Sequence, residues 1–163
     1  MKQLFIFMFC VVLIALTACA KKKVMSYNET ASLMKPSLEF NPMEGKLISS
    51  GIDSLHHTMY TLYGNEIAVN HARYHSETCY PAGSILSKIV WKQQPDPVWF
   101  GGNIPSSVVS IEVVRLRTNT DGLLQAAYQH YAGDGTGADA VISPEEAELL
   151  AAKIMSVRAS VMP

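Results

Sequence analysis

Val108-Val109-Ser110-Ile111-Glu112-Val113-Val114-Arg115-Leu116 is the stretch that decides the fold. Side chains branched at Cβ lose rotamer freedom in a helix and pack well on a pleated surface. A strand is therefore predicted over residues 108–116. Towards the N-terminus, Ile85, Ile89, Val90 and Trp91 predict a second strand over 84–92, entered through a turn at Pro81 and Gly83. Further back, Thr58-Met59-Tyr60-Thr61-Leu62-Tyr63 predicts another, closed by Gly64-Asn65. On the C-terminal side, Asn119, Asp121 and Gly122 supply a turn into a strand over 123–131. Consecutive strands with short connections favour antiparallel pairing. Residues 93–105 hold three prolines and Gly101-Gly102, and are expected to form a structured loop rather than an element.

Two helices complete the pattern. Asn65 can accept from the first turn of a helix running to about Arg73, with Ile67, Ala68, His71 and Ala72 at helical spacing and Glu66 at the positive end of the dipole. Ser143-Pro144-Glu145-Glu146 combines an N-cap, a proline at the first helical position and a glutamate three residues on. Leu150, Ile154, Val157 and Val161 follow at spacings of four, three and four. They are expected to share the face that lies across the sheet and closes the core. The predicted class is α+β: a mainly antiparallel sheet, a helix after the first core strand and a C-terminal amphipathic helix.

The N-terminal region reads differently. Lys2 precedes an apolar run over 4–16, within the range of a secretory h-region and short of the roughly 20 residues that span a bilayer. Leu16-Thr17-Ala18-Cys19 then presents only small residues before a cysteine. These four residues resemble the lipobox of bacterial lipoproteins, which implies export, cleavage before Cys19 and acylation of that residue. Residues 1–18 are thus expected to be a signal peptide, 19–40 a lipidated tether beginning with Lys21-Lys22-Lys23, and 41–163 one domain. Ala20 is not the aspartate that retains many lipoproteins in an inner membrane. The expected location is the cell envelope, at the outer membrane facing the periplasm.

Charge and cysteine usage narrow the partners. Without Lys2 and the tether lysines, nine basic residues face 14 acidic ones, which argues against nucleic acid. Of the three cysteines, Cys10 leaves with the signal and Cys19 takes lipid, so Cys79 has no partner for an intramolecular bridge. It reads as a small buried apolar residue.

Three blocks occur in order: residues 61–68 (TLYGNEIA), 80–84 (YPAGS) and 91–105 (WKQQPDPVWFGGNIP). Together they resemble the cytochrome P-460 family, over about residues 47–163. The final Arg158-Ala159-Ser160-Val161-Met162-Pro163 also looks like the ending of members without a haem motif. The resemblance implies a mainly antiparallel fold, export and a homodimer. Members of known chemistry oxidise hydroxylamine at a haem held through CxxCH and cross-linked to a lysine. This chain contains no CxxCH, so covalent c-type haem is excluded.

The candidate residues follow from these considerations. Lys88 stands seven residues after Pro81, a spacing that resembles that of the cross-linking lysine. Alternation places it on the face of Leu86 and Val90, where a lysine can also snorkel to the sheet edge. Glu112 is a candidate pocket carboxylate, though most strand glutamates face water. His130 shares strand parity with Leu124, Ala126 and Tyr128 and is a candidate axial ligand for non-covalent haem. His71 and His75, four apart, supply at most two metal ligands where zinc sites usually take three or four. Each histidine reads more simply as a surface or edge residue. Gly133-Asp134-Gly135-Thr136-Gly137-Ala138-Asp139 lacks the lysine–hydroxyl pair of a phosphate loop and the full ligand set of a calcium loop. Trp91, Trp99 and Phe100 are expected to pin residues 91–105 onto the sheet, or to line a cavity for a planar ligand. The function expected is a membrane-anchored envelope lipoprotein carrying a small-ligand or interaction module. The alternative is a redox protein or sensor that binds haem non-covalently.

Overall fold

The apolar stretch over 108–116 is the middle of a longer strand, Asn103–Thr118 (β4). A computed structural model describes residues 28–31, 38, 40–75, 77–136 and 142–160 of the 163-residue chain. With β4, the strands Lys46–Asp53 (β1), Thr58–Gly64 (β2), Ile85–Pro95 (β3) and Leu124–Ala132 (β5) form one sheet. Its spatial order is the chain order, and every neighbouring pair is antiparallel. Glu66–Tyr74 (α1) joins β2 to β3, and Pro144–Met155 (α2) follows β5. This is the α+β arrangement expected from the strand and helix signals. Cys19 and the lipobox lie outside the described residues. Among the described residues, no helix is long and apolar enough to cross a membrane.

Both faces of the sheet are covered, which explains why the middle of β4, over 108–116, is mainly apolar rather than strictly alternating. On one face, Leu62, Leu86, Val114 and Leu116 pack with Ala68 and Val69 of α1, Ala151 and Ile154 of α2, and Tyr80. On the other, Ile89, Trp91, Ile111 and Val113 pack with Met59, Tyr63, Val108 and Tyr131. Ala31, Leu38 and Phe40, from the segment expected to be tether, cover this second face. Trp91 Nε1 donates to the Ala31 carbonyl at 3.3 Å, and Phe40 meets the Tyr131 ring edge-on at 5.7 Å. Burying each such Leu, Ile or Val contributes on the order of 1.5–3 kcal/mol.

Two expectations need correction. First, β1 was not anticipated. Ser49, Ser50 and Gly51 weaken its strand signal, and a bulge between Leu47 and Ser49 buries Ile48 and Ser49 in succession, breaking the period of two. Second, residues 93–105 are not a loop. Gln93, Gln94 and Pro95 pair with Pro105, Ile104 and Asn103, leaving a hairpin tip over 96–102. Register shifts flank Trp91, and the prolines stand at the two ends of the three-residue pairing beyond them, Pro105 opposite Gln93 and Pro95 opposite Asn103 beside the tip.

The helices are held as their caps require. Asn65 Oδ1 accepts from Ala68 N at 3.1 Å and Ile85 N at 3.2 Å, while its Nδ2 donates to the Gly83 carbonyl at 2.7 Å. One side chain therefore caps α1 and ties it to the start of β3. Gly64 permits the close approach: a Cβ there would lie 2.6 Å from Ile48 Cδ1 and 3.0 Å from Ala68 Cβ. At α2, Ser143 Oγ accepts from Glu146 N at 3.2 Å. Ile154 is buried as expected, but the helix ends at Met155, so Val157 packs on the core from beyond the helix. Val161 lies outside the described residues.

Candidate functional site

Strand register brings three separately chosen residues into one line. Leu62 faces Lys88, Lys88 faces Glu112, and Glu112 faces His130, across β2, β3, β4 and β5. All point to the helix-bearing face, one row beyond the one formed by Leu86, Val114 and Tyr128. Adjacent strands lie about 4.8 Å apart, so Lys88 and His130 are about 10 Å apart across the sheet.

Lys88 Nζ donates to Glu112 Oε2 at 3.0 Å, and the two side chains are only 20% and 16% exposed. The ammonium also stands 5.7 Å from the centre of the Tyr60 ring, in the next row. This corrects two expectations. Lys88 does not snorkel to an edge, because β3 is the central strand and a carboxylate sits directly opposite. Glu112 does not simply face water. Their pairing supplies both charges with a partner on a largely apolar surface, where either alone would be costly.

Tyr128 reports the same field. Burial first, then the negative charges of Glu112 and Glu146, push its phenol up to about 12. It is therefore a neutral hydrogen-bonding group at any physiological pH. Lys88, Glu112 and His130 make a polar row, with Tyr60 and Tyr128 in the rows to either side. Together they offer hydrogen-bond donors, acceptors and an aromatic face to a small polar molecule, while the lysine amine is engaged rather than free as a nucleophile.

The remaining histidines are placed elsewhere. His71 and His75 share one side of the α1 terminus, as their spacing predicts, with rings stacked at 5.0 Å. His71 is buried rather than a surface residue. It packs at 4.6 Å against Tyr80, and its Nε2 lies 3.1 Å from the Glu77 carbonyl. His56 bonds Asp53 at 2.8 Å at the opposite end of β2 from α1, so it cannot complete a site with His71. Among the described residues no group of three or more His, Cys, Asp or Glu is arranged to hold a metal. Cys79 is exposed, contrary to its expected burial, because it lies in the irregular approach to Tyr80 rather than in a strand or helix.

A cavity of about 810 Å³ forms an open groove between α1, the β1 edge and the segment after α2. Ile48, Arg73, His75, Tyr80, Met155 and Arg158 are among its lining residues, and Lys88, Glu112 and His130 are not. Sequence reasoning did not single out Arg73 or Arg158. They come from distant segments with no shared motif, so no local signal pointed to them. Trp91 does pin its strand, at 4% exposure, whereas Trp99 and Phe100 project into solvent at 73% and 108%. The fold and the row define an α+β protein with a five-stranded antiparallel meander, two helices and a partly buried ion pair at the sheet's centre. No family model matches the chain, and comparison with curated proteins gives no match.

Proposed function

We propose that this chain is an envelope lipoprotein, acylated at Cys19. Its cytochrome P-460-like domain serves as a small-ligand or interaction module without covalent c-type haem. The observation that carries this reading is the Lys88–Glu112 pair at 3.0 Å. In a haem-bearing relative the lysine at the resembling position is spent on the porphyrin edge, whereas here a carboxylate directly opposite holds its amine. The cysteine inventory supports the same conclusion, since thioether attachment needs a CxxCH that the chain lacks. Partly buried Lys, Glu and His functions in one row, with a tyrosine in the row on either side, suit recognition of a small polar molecule better than bond-making chemistry.

One observation favours non-covalent haem as a second reading: His130 and Lys88 share a row and a face, in the roles of axial ligand and edge neighbour. Titrating haemin into the detergent-extracted full-length protein separates the two. The module reading expects no saturable shift of the Soret band. A sharp saturable shift that His130→Ala abolishes would replace it with the haem reading. The anchoring is tested by mass spectrometry of the N-terminal peptide and by Cys19→Ala, which is expected to leave the membrane fraction.

A further inference from the structure

The tip of the β3–β4 hairpin is apolar, exposed and held in shape. Pro97, Val98, Trp99 and Phe100 occupy it, with Val98 66%, Trp99 73% and Phe100 108% exposed. Such exposure in a mobile loop would mean little, but this turn is braced. Asp96 Oδ1 accepts from Val98 N at 2.7 Å and Trp99 N at 3.2 Å. Gly102 N donates to the Trp99 carbonyl at 3.0 Å, Asp96 N to the Gly102 carbonyl at 2.9 Å, and Gly101 takes the positive φ of 78° that closes the turn.

The β1–β2 turn lies at the same end of the sheet and adds to the patch. Gln93 N donates to the His57 carbonyl at 3.0 Å and Gln93 Nε2 to the Thr58 carbonyl at 2.7 Å, stitching that turn to the base of the hairpin. The turn contributes Leu55 and the end of β1 contributes Ile52, 82% and 65% exposed. The acids in these two loops are both occupied, Asp53 by His56 at 2.8 Å and Asp96 by the backbone of its own turn.

The start of the described chain identifies what this patch meets. Asn28 Nδ2 donates at 2.6 Å to the carbonyl of Pro105, at the hairpin's base. Eight residues lie between Cys19 and Asn28, so the nine steps from one to the other span at most about 32 Å even fully extended. The described chain therefore begins at the hairpin's end of the sheet, and an acylated Cys19 would hold this end of the domain close to the bilayer. Lys21, Lys22 and Lys23, next to that cysteine, suit anionic headgroups. Tryptophan is the side chain enriched at membrane–water interfaces, and phenylalanine beside it is an apolar group that buries at the headgroup–acyl boundary.

We propose that the Val98-Trp99-Phe100 tip inserts into the interfacial layer of the membrane that carries the lipid anchor, fixing the domain's orientation on that surface. The inference rests on acylation of Cys19 and adds a second contact to it. Docking through the tip turns the sheet end-on to the membrane and leaves the groove at the opposite end, by α1, facing the aqueous side.

Fluorescence provides the test, because Trp91 and Trp99 are the only tryptophans and Trp91 is buried. The full-length lipidated protein is reconstituted in vesicles of phosphatidylethanolamine and phosphatidylglycerol, with and without brominated phosphatidylcholine. Brominated lipid is expected to quench the emission, and Trp99→Phe is expected to abolish that quenching while the protein stays bound. Trp99 should be about three-fold less open to iodide than in Phe100→Ser, since a ring at the headgroup–acyl boundary is screened from an aqueous anion. Lipidated protein whose Trp99 is untouched by brominated lipid and fully open to iodide overturns the docking while leaving the anchor intact. An unmodified N-terminus by mass spectrometry overturns the anchor, and the docking with it.

Discussion

Lys88 and Glu112 face each other across β3, the central strand, and β4, 3.0 Å apart, with Tyr60 beside the lysine and His130 beyond the glutamate. Because both side chains are four-fifths or more buried, removing one leaves the other charge poorly solvated. Glu112→Gln is expected to cost about 1–2 kcal/mol, between the values for exposed and fully buried pairs. The double variant Lys88→Met, Glu112→Leu is expected to cost less than the sum of the single changes. Urea unfolding midpoints for the four proteins of the cycle check this, and strict additivity would show the pair to be uncoupled.

The Tyr128 phenol sets an alkaline limit on stability. Its folded-state value is raised to about 12, against about 10 for the unfolded chain. Below pH 10 both states are protonated and the group contributes no pH dependence. Between about pH 10 and 12 the unfolded chain ionises first, so stability falls as pH rises. Tyr63 and Tyr80, also raised by burial, add to the same slope. Tyr128→Phe is expected to flatten the decline in melting temperature over that window, and an unchanged slope would remove Tyr128 as a cause.

Asn65 and Ser143 cap helices of similar length, yet their loss should differ. Ser143→Ala removes one acceptor, with an expected cost of about 1 kcal/mol. Asn65→Ala removes the cap together with the links to Ile85 and Gly83, and about 2 kcal/mol is expected. Chemical denaturation ranks the two, and the reverse order would contradict the bridging role of Asn65.

Cys79 is exposed outside any regular element. In the folded protein it is expected to react with iodoacetamide at close to the rate of the unfolded chain. Protection that is lost only in denaturant would show a cover over the thiol.

Local chemistry made the sheet core, both helix caps and the antiparallel order legible. A β-branched run, an Asn or Ser before a helical face and a short turn each act through neighbours a few residues away. β1 escaped notice because its weak serine–glycine sequence gains its place from pairing with β2, and the hairpin over 93–105 because its prolines and glycines read locally as loop signals. For the candidate site, parity in each strand correctly put Lys88 with Leu86 and Val90, but parity alone cannot align one strand with another.

The amino-acid sequence by itself determined the α+β class, the cap chemistry and the absence of a CxxCH motif, since these depend on residue type and near spacing. Only the tertiary structure decided that Lys88, Glu112 and His130 stand in one row, that Cys79 is exposed, and that Asn28 meets the base of the aromatic hairpin. Register and docking arise from contacts between segments far apart in the chain. A one-residue slip in strand pairing would have sent the side chains of Lys88, Glu112 or His130 to the other face.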